Sequence, residues 1–310
     1  MRKQGKANPA GKQTKSAAKA TKPNQTNALI YLPGGATHED PEMPSPKTGK
    51  IRIGIGGWTY APWRGTFYPP TLTQSRELQH ASQHLTSIEI NGTFYGLQKP
   101  ASYEKWYQET PEDFAFSLKA PRYATNRKIL ADANETIERF FASGVLLLKQ
   151  KLGPINWQFA TTKKFDPEDF EAFLKLLPAS IEGQKLRHAI EVRNDTFKTP
   201  EFIALARKYK VAIVLAADSD YPQIADITAP FVYARIMGTS DKAANGYSTE
   251  ALDAWVERAR QLAAGTTPDD LETSAEAPAK TTARDVYLYV ISGFKERNPA
   301  AAMALIKRLE

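Results

Sequence analysis

From residue 51 onward, short runs of β-branched and apolar residues alternate with longer stretches whose apolar positions recur every three or four residues. The first pattern has the two-residue period of a strand and the second the period of a helix. Strands are expected at "IRIGIG" (51–56), "TSIEIN" (86–91), "FAFSLK" (114–119) and "GVLLLKQ" (144–150). Four more follow at "HAIEVR" (188–193), "VAIVLAA" (211–217), "FVYARI" (231–236) and "VYLYVI" (286–291). Helical segments fall near 73–84, 100–109, 133–142, 167–177, 199–209, 248–264 and 298–309. Asp166-Pro167 and Thr199-Pro200 each put a capping residue ahead of a proline at the first helical position. Eight strands with a helix after nearly every one predict an α/β fold, a TIM-like (β/α)8 barrel. The sixth connection is irregular, because "DSDYPQIADITAP" (218–230) leaves room for little more than a turn of helix. An open doubly wound sheet is the alternative, but it usually carries G-x-G-x-x-G after its first strand. Here "GIGGWTYAPW" sets the bulky Trp58 directly after its glycines.

A strand flanked by helices is buried on both faces and should be apolar throughout. Several of these strands break that rule. In the fifth, Glu191 and Arg193 share a face with Ala189. In the second, Ser87, Glu89 and Asn91 share one parity; in the third, Ser117 and Lys119 do; in the seventh, Phe231, Tyr233 and Arg235 do. Asp218 follows the sixth strand, and Gln150 ends the fourth as assigned here. These groups lie toward the C-terminal ends of their strands, the end at which such barrels carry their function. Buried charges must pair or meet water. Glu89, Glu191 and Asp218 can balance Lys119, Arg193 and Arg235. The cluster is either a ligand site or an ion-pair network that closes the barrel. A mixture is expected, with Glu191 and Arg193 paired below while Lys119 and Arg235 stand exposed above.

Aromatic residues crowd the first loop, at Trp58, Tyr60, Trp63, Phe67 and Tyr68, and Phe94 and Tyr95 follow the second strand. They form either a packed lid or a stacking wall for a sugar ring or base.

The 310 residues carry a net charge of +7, but residues 1–50 hold nine Lys/Arg against three Asp/Glu, so the remainder is close to neutral. That basic segment, rich in Lys, Ala, Thr, Gln and Asn, is expected to be a disordered tail able to make weak contact with nucleic acid or another polyanion. Residues 51–310 then form the barrel domain, with "GTTPDDLETSAEAPAKTTAR" (265–284) as a flexible surface insertion on the face remote from chemistry. The absence of cysteine removes disulfides, thiolate nucleophiles and cysteine metal sites. No run approaches a membrane span, and a cytoplasmic protein is expected. His80 and His84 have i, i+4 spacing but no third ligand nearby, and His38 and His188 avoid the strand C-termini. Neither a metal site nor a bound cofactor is expected, and no nucleophile-elbow or P-loop motif occurs.

Five ordered motifs resemble one family. "GGWTYAPWRGTFYP" (56–69), "SIEINGTFYGL" (87–97), "FAFSLKAPR" (114–122), "HAIEVRNDTF" (188–197) and "YARIMG" (233–238) are similar to domain of unknown function 72, the YecE-like proteins, over roughly residues 51–310. The resemblance implies a TIM-barrel-like fold and brings no established activity. Its recurring positions match Trp58, Tyr60, Trp63, Glu89, Asn91, Thr93, Phe94, Tyr95, Lys119, Glu191, Arg193 and Arg235. The chain departs from the pattern at "VISGFKERN" (290–298), where Asn-rich sequence is frequent, at Met237, where His is frequent, and at the 265–284 segment.

Two functions compete. One is an enzyme of hydrolase or lyase type acting on a small anionic or sugar-like ligand. Glu191, Glu89 and Lys119 would be its catalytic groups, and Arg193, Arg235, Asn91, Asp218, Trp58, Tyr60 and Tyr95 its binding groups. The other is a non-catalytic ligand-binding barrel attached to a polyanion through the basic tail.

Overall fold

A computed structural model describes residues 48–310. The expected tail and its contact with nucleic acid lie outside the described residues, apart from its last three positions. Of these, Gly49 and Lys50 already belong to the body: the Gly49 amide donates to the Ala263 carbonyl and the Lys50 amide to Asp285.

Eight parallel strands close a barrel in sequence order. They are β1 (Ile51–Gly56), β2 (Ser87–Ile90), β3 (Ala115–Lys119), β4 (Leu152–Gln158), β5 (His188–Glu191), β6 (Ala212–Ala217), β7 (Phe231–Ile236) and β8 (Asp285–Val290). β8 pairs back onto β1, with Ile53 opposite Leu288. The outer helices are α1 (Glu77–His84), α2 (Pro100–Gln108), α3 (Asn134–Ala142), α4 (Pro167–Leu176), α5 (Pro200–Lys208), α6 (Thr249–Ala264) and α7 (Asn298–Leu309). Both proline-led starts are capped: Asp166 accepts from the amides of Glu168 and Asp169, and Thr199 accepts from that of Phe202. Each such cap is worth about 1 kcal/mol. Among the described residues no helix is long and apolar enough to cross a membrane.

One strand assignment is corrected. Residues Val145–Lys151 form a short 3-10 helix, and the fourth strand is the next segment, Leu152–Gln158. A short apolar run fits a buried helix turn as well as a strand, so "VLLL" did not discriminate. Pro154 concealed the true strand, because proline supplies no ladder N–H. The ladder accommodates it by shifting register between Phe116 and Leu118, whose partners are Leu152 and Ile155. Gln150 therefore lies outside the barrel, where its amide donates to the Tyr107 hydroxyl.

The sixth connection contains no helix at all. Residues 224–229 have no regular secondary structure and lie buried beside β6 and β7. The expected insertion at 265–284 has no helix or strand, and it is fastened over this gap. Asp226 accepts from the amides of Ser274 and Ala275, and the Ala225 amide donates to the Glu272 carbonyl.

Inward side chains fill the barrel in layers. The lower layers hold Ala115, Ala189, Ala212, Val214, Phe231, Tyr233, Tyr287 and Tyr289. Tyr289 needs the space that Gly54 leaves: a Cβ on Gly54 would sit 2.0 Å from the Ser87 carbonyl oxygen and 3.2 Å from the Tyr289 ring. Its hydroxyl lies 2.7 Å from Ser87 and 2.6 Å from Ser117. Ser87 spends its own proton on the Ala115 carbonyl. Tyr289 must then donate to Ser87, and Ser117 must donate to Tyr289. The charged layer rests on this closed polar chain.

Candidate functional site

At the C-terminal end of the barrel, β2, β3, β4, β5 and β7 aim Glu89, Lys119, Asn156 and Gln158, Glu191 and Arg235 inward. Glu191 is the centre. It accepts six hydrogen bonds: from Asn156 Nδ2 (3.0 Å), Gln158 Nε2 (2.8 Å), Arg193 Nε and Nη2 (2.9 and 2.8 Å), and Arg235 Nη1 at both its oxygens (2.8 and 2.7 Å). Arg235 also reaches Glu89 through Nη2 at 3.2 Å, and Tyr233 donates to the other oxygen of Glu89 at 2.5 Å. Both carboxylates are fully buried.

The chemistry follows from these contacts. Burial alone would raise the carboxyl of Glu191, but Arg235, Arg193 and Lys119, with the Asn156 amide, outweigh it and hold the group at about 2. A carboxylate with its lone pairs filled and its acidity so strengthened is a poor proton acceptor near neutrality. Burial, and next the charge of Glu89, push the Tyr233 phenol well above its usual range, so it stays a neutral donor. The Nε of Arg235 and the Oδ1 of Asn156 find no partner among the described residues.

Arg235 is 3% exposed and lies sandwiched between the carboxylates, so it does not stand at the surface as expected. The upper positions belong to Lys119 and Arg193. Lys119 too is buried rather than exposed as expected: it is 7% exposed, donates to Gln158 Oε1 at 3.0 Å, and lies 4.4 Å from the centroid of the Phe94 ring. Among the described residues no carboxylate comes within 4 Å of its amine. Burial lowers this amine to about 8, against the opposing pull of Glu89 and with the repulsion of Arg235 added. Phe94 sits on a single helical turn, Gly92–Tyr95, pinned to β3 by Thr93, whose hydroxyl donates to the Lys119 carbonyl at 2.7 Å. Arg193, 21% exposed at its side chain, stacks 4.2 Å from the Tyr221 ring and donates to the Tyr221 hydroxyl through Nη1.

The remaining expected site residues divide. Asn91 directly follows β2, at the start of the Gly92–Tyr95 turn, and packs against β1, where a Cβ on Gly56 would come within 2.9 Å of its amide nitrogen. Tyr95 is 66% exposed on the rim, with the Arg122 guanidinium 6.0 Å from its ring. Three others turn away from the cluster. Asp218 has a left-handed backbone (φ 55) that carries its carboxylate to the Tyr247 hydroxyl at 3.0 Å and the Trp255 indole at 3.1 Å. Trp58 packs edge-on against Trp106 and lines a groove of about 370 Å³ with Gln74, Ser75, Leu78 and Lys105, none of them members of the charged cluster. Tyr60 packs on Trp63, donates to Glu296, and lies beneath the Lys295 amine. With Trp63, Phe67 and Tyr68 buried, the first loop is a packed lid.

Sequence reasoning missed Asn156, Gln158 and Tyr221. The alternation in "INWQ" (155–158) carried a signal for the first two; Tyr221, in an irregular loop, carried none. Among the described residues no group of three or more His, Cys, Asp or Glu is placed to hold a metal ion. His188 is buried and structural: it accepts from the Trp157 indole at 3.0 Å and meets the Pro178 carbonyl at 2.8 Å through its other nitrogen.

Comparison with known proteins agrees with this architecture. The family model described as "Protein of unknown function DUF72" matches residues 52–310. UPF0759 protein YunF of Bacillus subtilis (strain 168) is 30% identical over 190 residues, 59% of this chain and 64% of that protein. UPF0759 protein YecE of Escherichia coli (strain K12) is 25% identical over 147 residues, 47% of this chain and 50% of that one. The matched part of the chain thus spans between half and two thirds of the length of these relatives. A DUF72 family protein of Thermotoga maritima MSB8 has a similar fold, with a TM-score of 0.66 at 20% identity over 84% of this chain and 99% of the other. One from Enterococcus faecalis V583 gives 0.60 at 17% identity, covering 84% and 98%.

Proposed function

The chain belongs to the DUF72 family, and from its own geometry we propose that it is an enzyme of lyase type acting on a small anionic, sugar-like ligand at the C-terminal mouth. The carrying observation is Lys119: an amine at the end of a barrel strand, lowered to about 8, with no carboxylate within 4 Å among the described residues. An amine poised near neutrality can take and return a proton, which Glu191 at about 2 cannot. Glu191 serves instead as the anchor that orients Arg193 and Arg235. Arg193 uses three of its five N–H donors on Glu191 and Tyr221, leaving donors for a carboxylate or phosphate. A glycosidase-type hydrolysis is disfavoured, because a pair of carboxylates flanking a scissile bond would need one to carry a proton, and Glu191 is held ionised.

The sealed Glu89–Arg235–Glu191 network favours a second reading, a barrel that binds the ligand without turning it over. Both readings require the ligand to meet Arg193 and Lys119. A thermal-shift screen of sugar phosphates and sugar acids against the full chain and the Arg193→Ala and Lys119→Gln variants tests this. Bound ligand raises the melting temperature by mass action. The wild type should respond and Arg193→Ala should not. A ligand consumed by the wild type but only bound by Lys119→Gln separates enzyme from binder. Equal responses from all three proteins refute the site.

A further inference from the structure

We propose that Lys119 acts as a covalent nucleophile, forming an imine with an aldehyde or ketone whose carboxylate or phosphate is held by Arg193. The inference rests on the mouth-site reading above and names the chemistry and substrate class of that site.

The side chain is anchored along its length. Its strand position fixes the backbone, the Thr93 hydroxyl holds its own carbonyl, the Phe94 ring covers one side of the amine, and Gln158 Oε1 accepts one N–H. The same Gln158 amide donates to Glu191 Oε1, the oxygen that also receives both donors of Arg193. One amide therefore ties the nucleophile to the anion holder. A ligand that carries an anion and a carbonyl on one small carbon skeleton suits such a linked pair. An amine that gains its neutral form chiefly by desolvation, against the pull of Glu89 and with no carboxylate within 4 Å among the described residues, has an available lone pair.

The step balances without a co-reactant. The Nζ lone pair adds to the carbonyl carbon, and the C=O π pair moves onto oxygen. That oxygen takes up a proton as nitrogen sheds one, giving a carbinolamine. The C–O bond then breaks as the nitrogen lone pair forms C=N, and the hydroxyl leaves as water with the second proton shed by nitrogen. Nothing is oxidised or reduced.

Incubation of the full chain at pH 8 with glyoxylate or glyceraldehyde 3-phosphate, together with sodium cyanoborohydride, reduces any imine to a stable secondary amine. Peptide mapping by mass spectrometry then locates it. Lys119 should be modified at least about tenfold faster than any other lysine, half-maximally near pH 8, and the fast phase should vanish in Lys119→Arg. Glycolate and glycerol 3-phosphate, which lack the carbonyl, are measured in parallel by thermal shift. If they stabilise the wild type but not Arg193→Ala while Lys119 reacts no faster than surface lysines, the imine is refuted and the anion site stands. If there is neither stabilisation nor selective modification, both fall.

Discussion

Replacing Lys119 by methionine should make this protein more stable, which is unusual for a substitution inside a barrel. The amine falls from 10.5 to about 8 on folding, chiefly through burial. At about 1.4 kcal/mol per pH unit, the protonated side chain costs about 3 kcal/mol at neutral pH relative to its uncharged form. Methionine matches its length, fills the space beneath Phe94, and carries no charge. The exchange leaves Gln158 Oε1 without its donor, a loss of about 1 kcal/mol. The net gain is about 2 kcal/mol, or on the order of 4–8 °C in melting temperature for a domain of this size. The sign with pH is fixed as well. Between pH 8 and 10.5 the unfolded amine binds a proton that the folded one sheds, so wild-type stability from this group rises with pH across that window. The variant has no such slope, and its advantage should be complete below pH 8 and gone by about 10.5. Urea unfolding of both proteins from pH 7 to 10.5 gives the difference directly. A variant less stable at pH 7, or one whose advantage is the same at every pH, refutes the claim that the amine is held against its own solvation.

Arg235→Met leaves Glu89 and Glu191 buried with much of their compensation removed and should cost about 3–5 kcal/mol in urea unfolding; a loss below about 1 kcal/mol would mean the pairing contributes little. His188 falls from 6.5 to about 4, through burial. Its unfolded form therefore binds a proton first as pH drops, and about 3 kcal/mol of stability should be lost between pH 6.5 and 4. A His188→Gln protein should lack that slope, and retention of it would clear the histidine. Gly54→Ala drives a Cβ into the Ser87 carbonyl and should cost more than about 4 kcal/mol; a soluble variant with wild-type melting would show that the β1–β2 ladder can yield there.

Among the described residues, seven of the eight barrel strands and all seven major helices were legible in the sequence, because a barrel strand and its covering helix each impose a period on the chain. The fourth strand was not, since Gly153 and Pro154 break the pattern that marks a strand, while the preceding "VLLL" imitates one. That error hid Asn156 and Gln158, the amides that hold Glu191 and direct Lys119. Alternation identified Glu89, Lys119, Glu191 and Arg235 as one inward set, and the structure brings them together. Parity could not follow Asp218, because one left-handed residue at a strand end redirects a side chain without leaving a periodic mark. It could not rank depth either: Arg235 and Lys119 each stand on an inward parity, yet strand register sets one among carboxylates and the other above them.

The loss of Asp218 from the cluster changes its charge. The three carboxylates and three cations balanced in the sequence become two carboxylates, Glu89 and Glu191, against Arg193, Arg235 and Lys119. Glu191 is held ionised, and Tyr233, with its phenol raised well above the ordinary range, adds no charge. The layer is thus one positive charge in excess whenever Lys119 is protonated. Such a layer can relax in two ways: the amine can give up its proton, or an anion can enter beside it. The two are linked, because an entering anion stabilises the protonated amine and so raises its affinity for the proton. Ligand binding should accordingly take up a fraction of a proton at pH 8 and almost none at pH 6, where the amine is already charged. Calorimetric titration with glycolate, which stays ionised from pH 6 to 8, in buffers of differing ionisation enthalpy reads that uptake. A binding enthalpy independent of buffer at pH 8, with binding itself intact, would place the anion away from Lys119 and sever the link between the charge excess and the site.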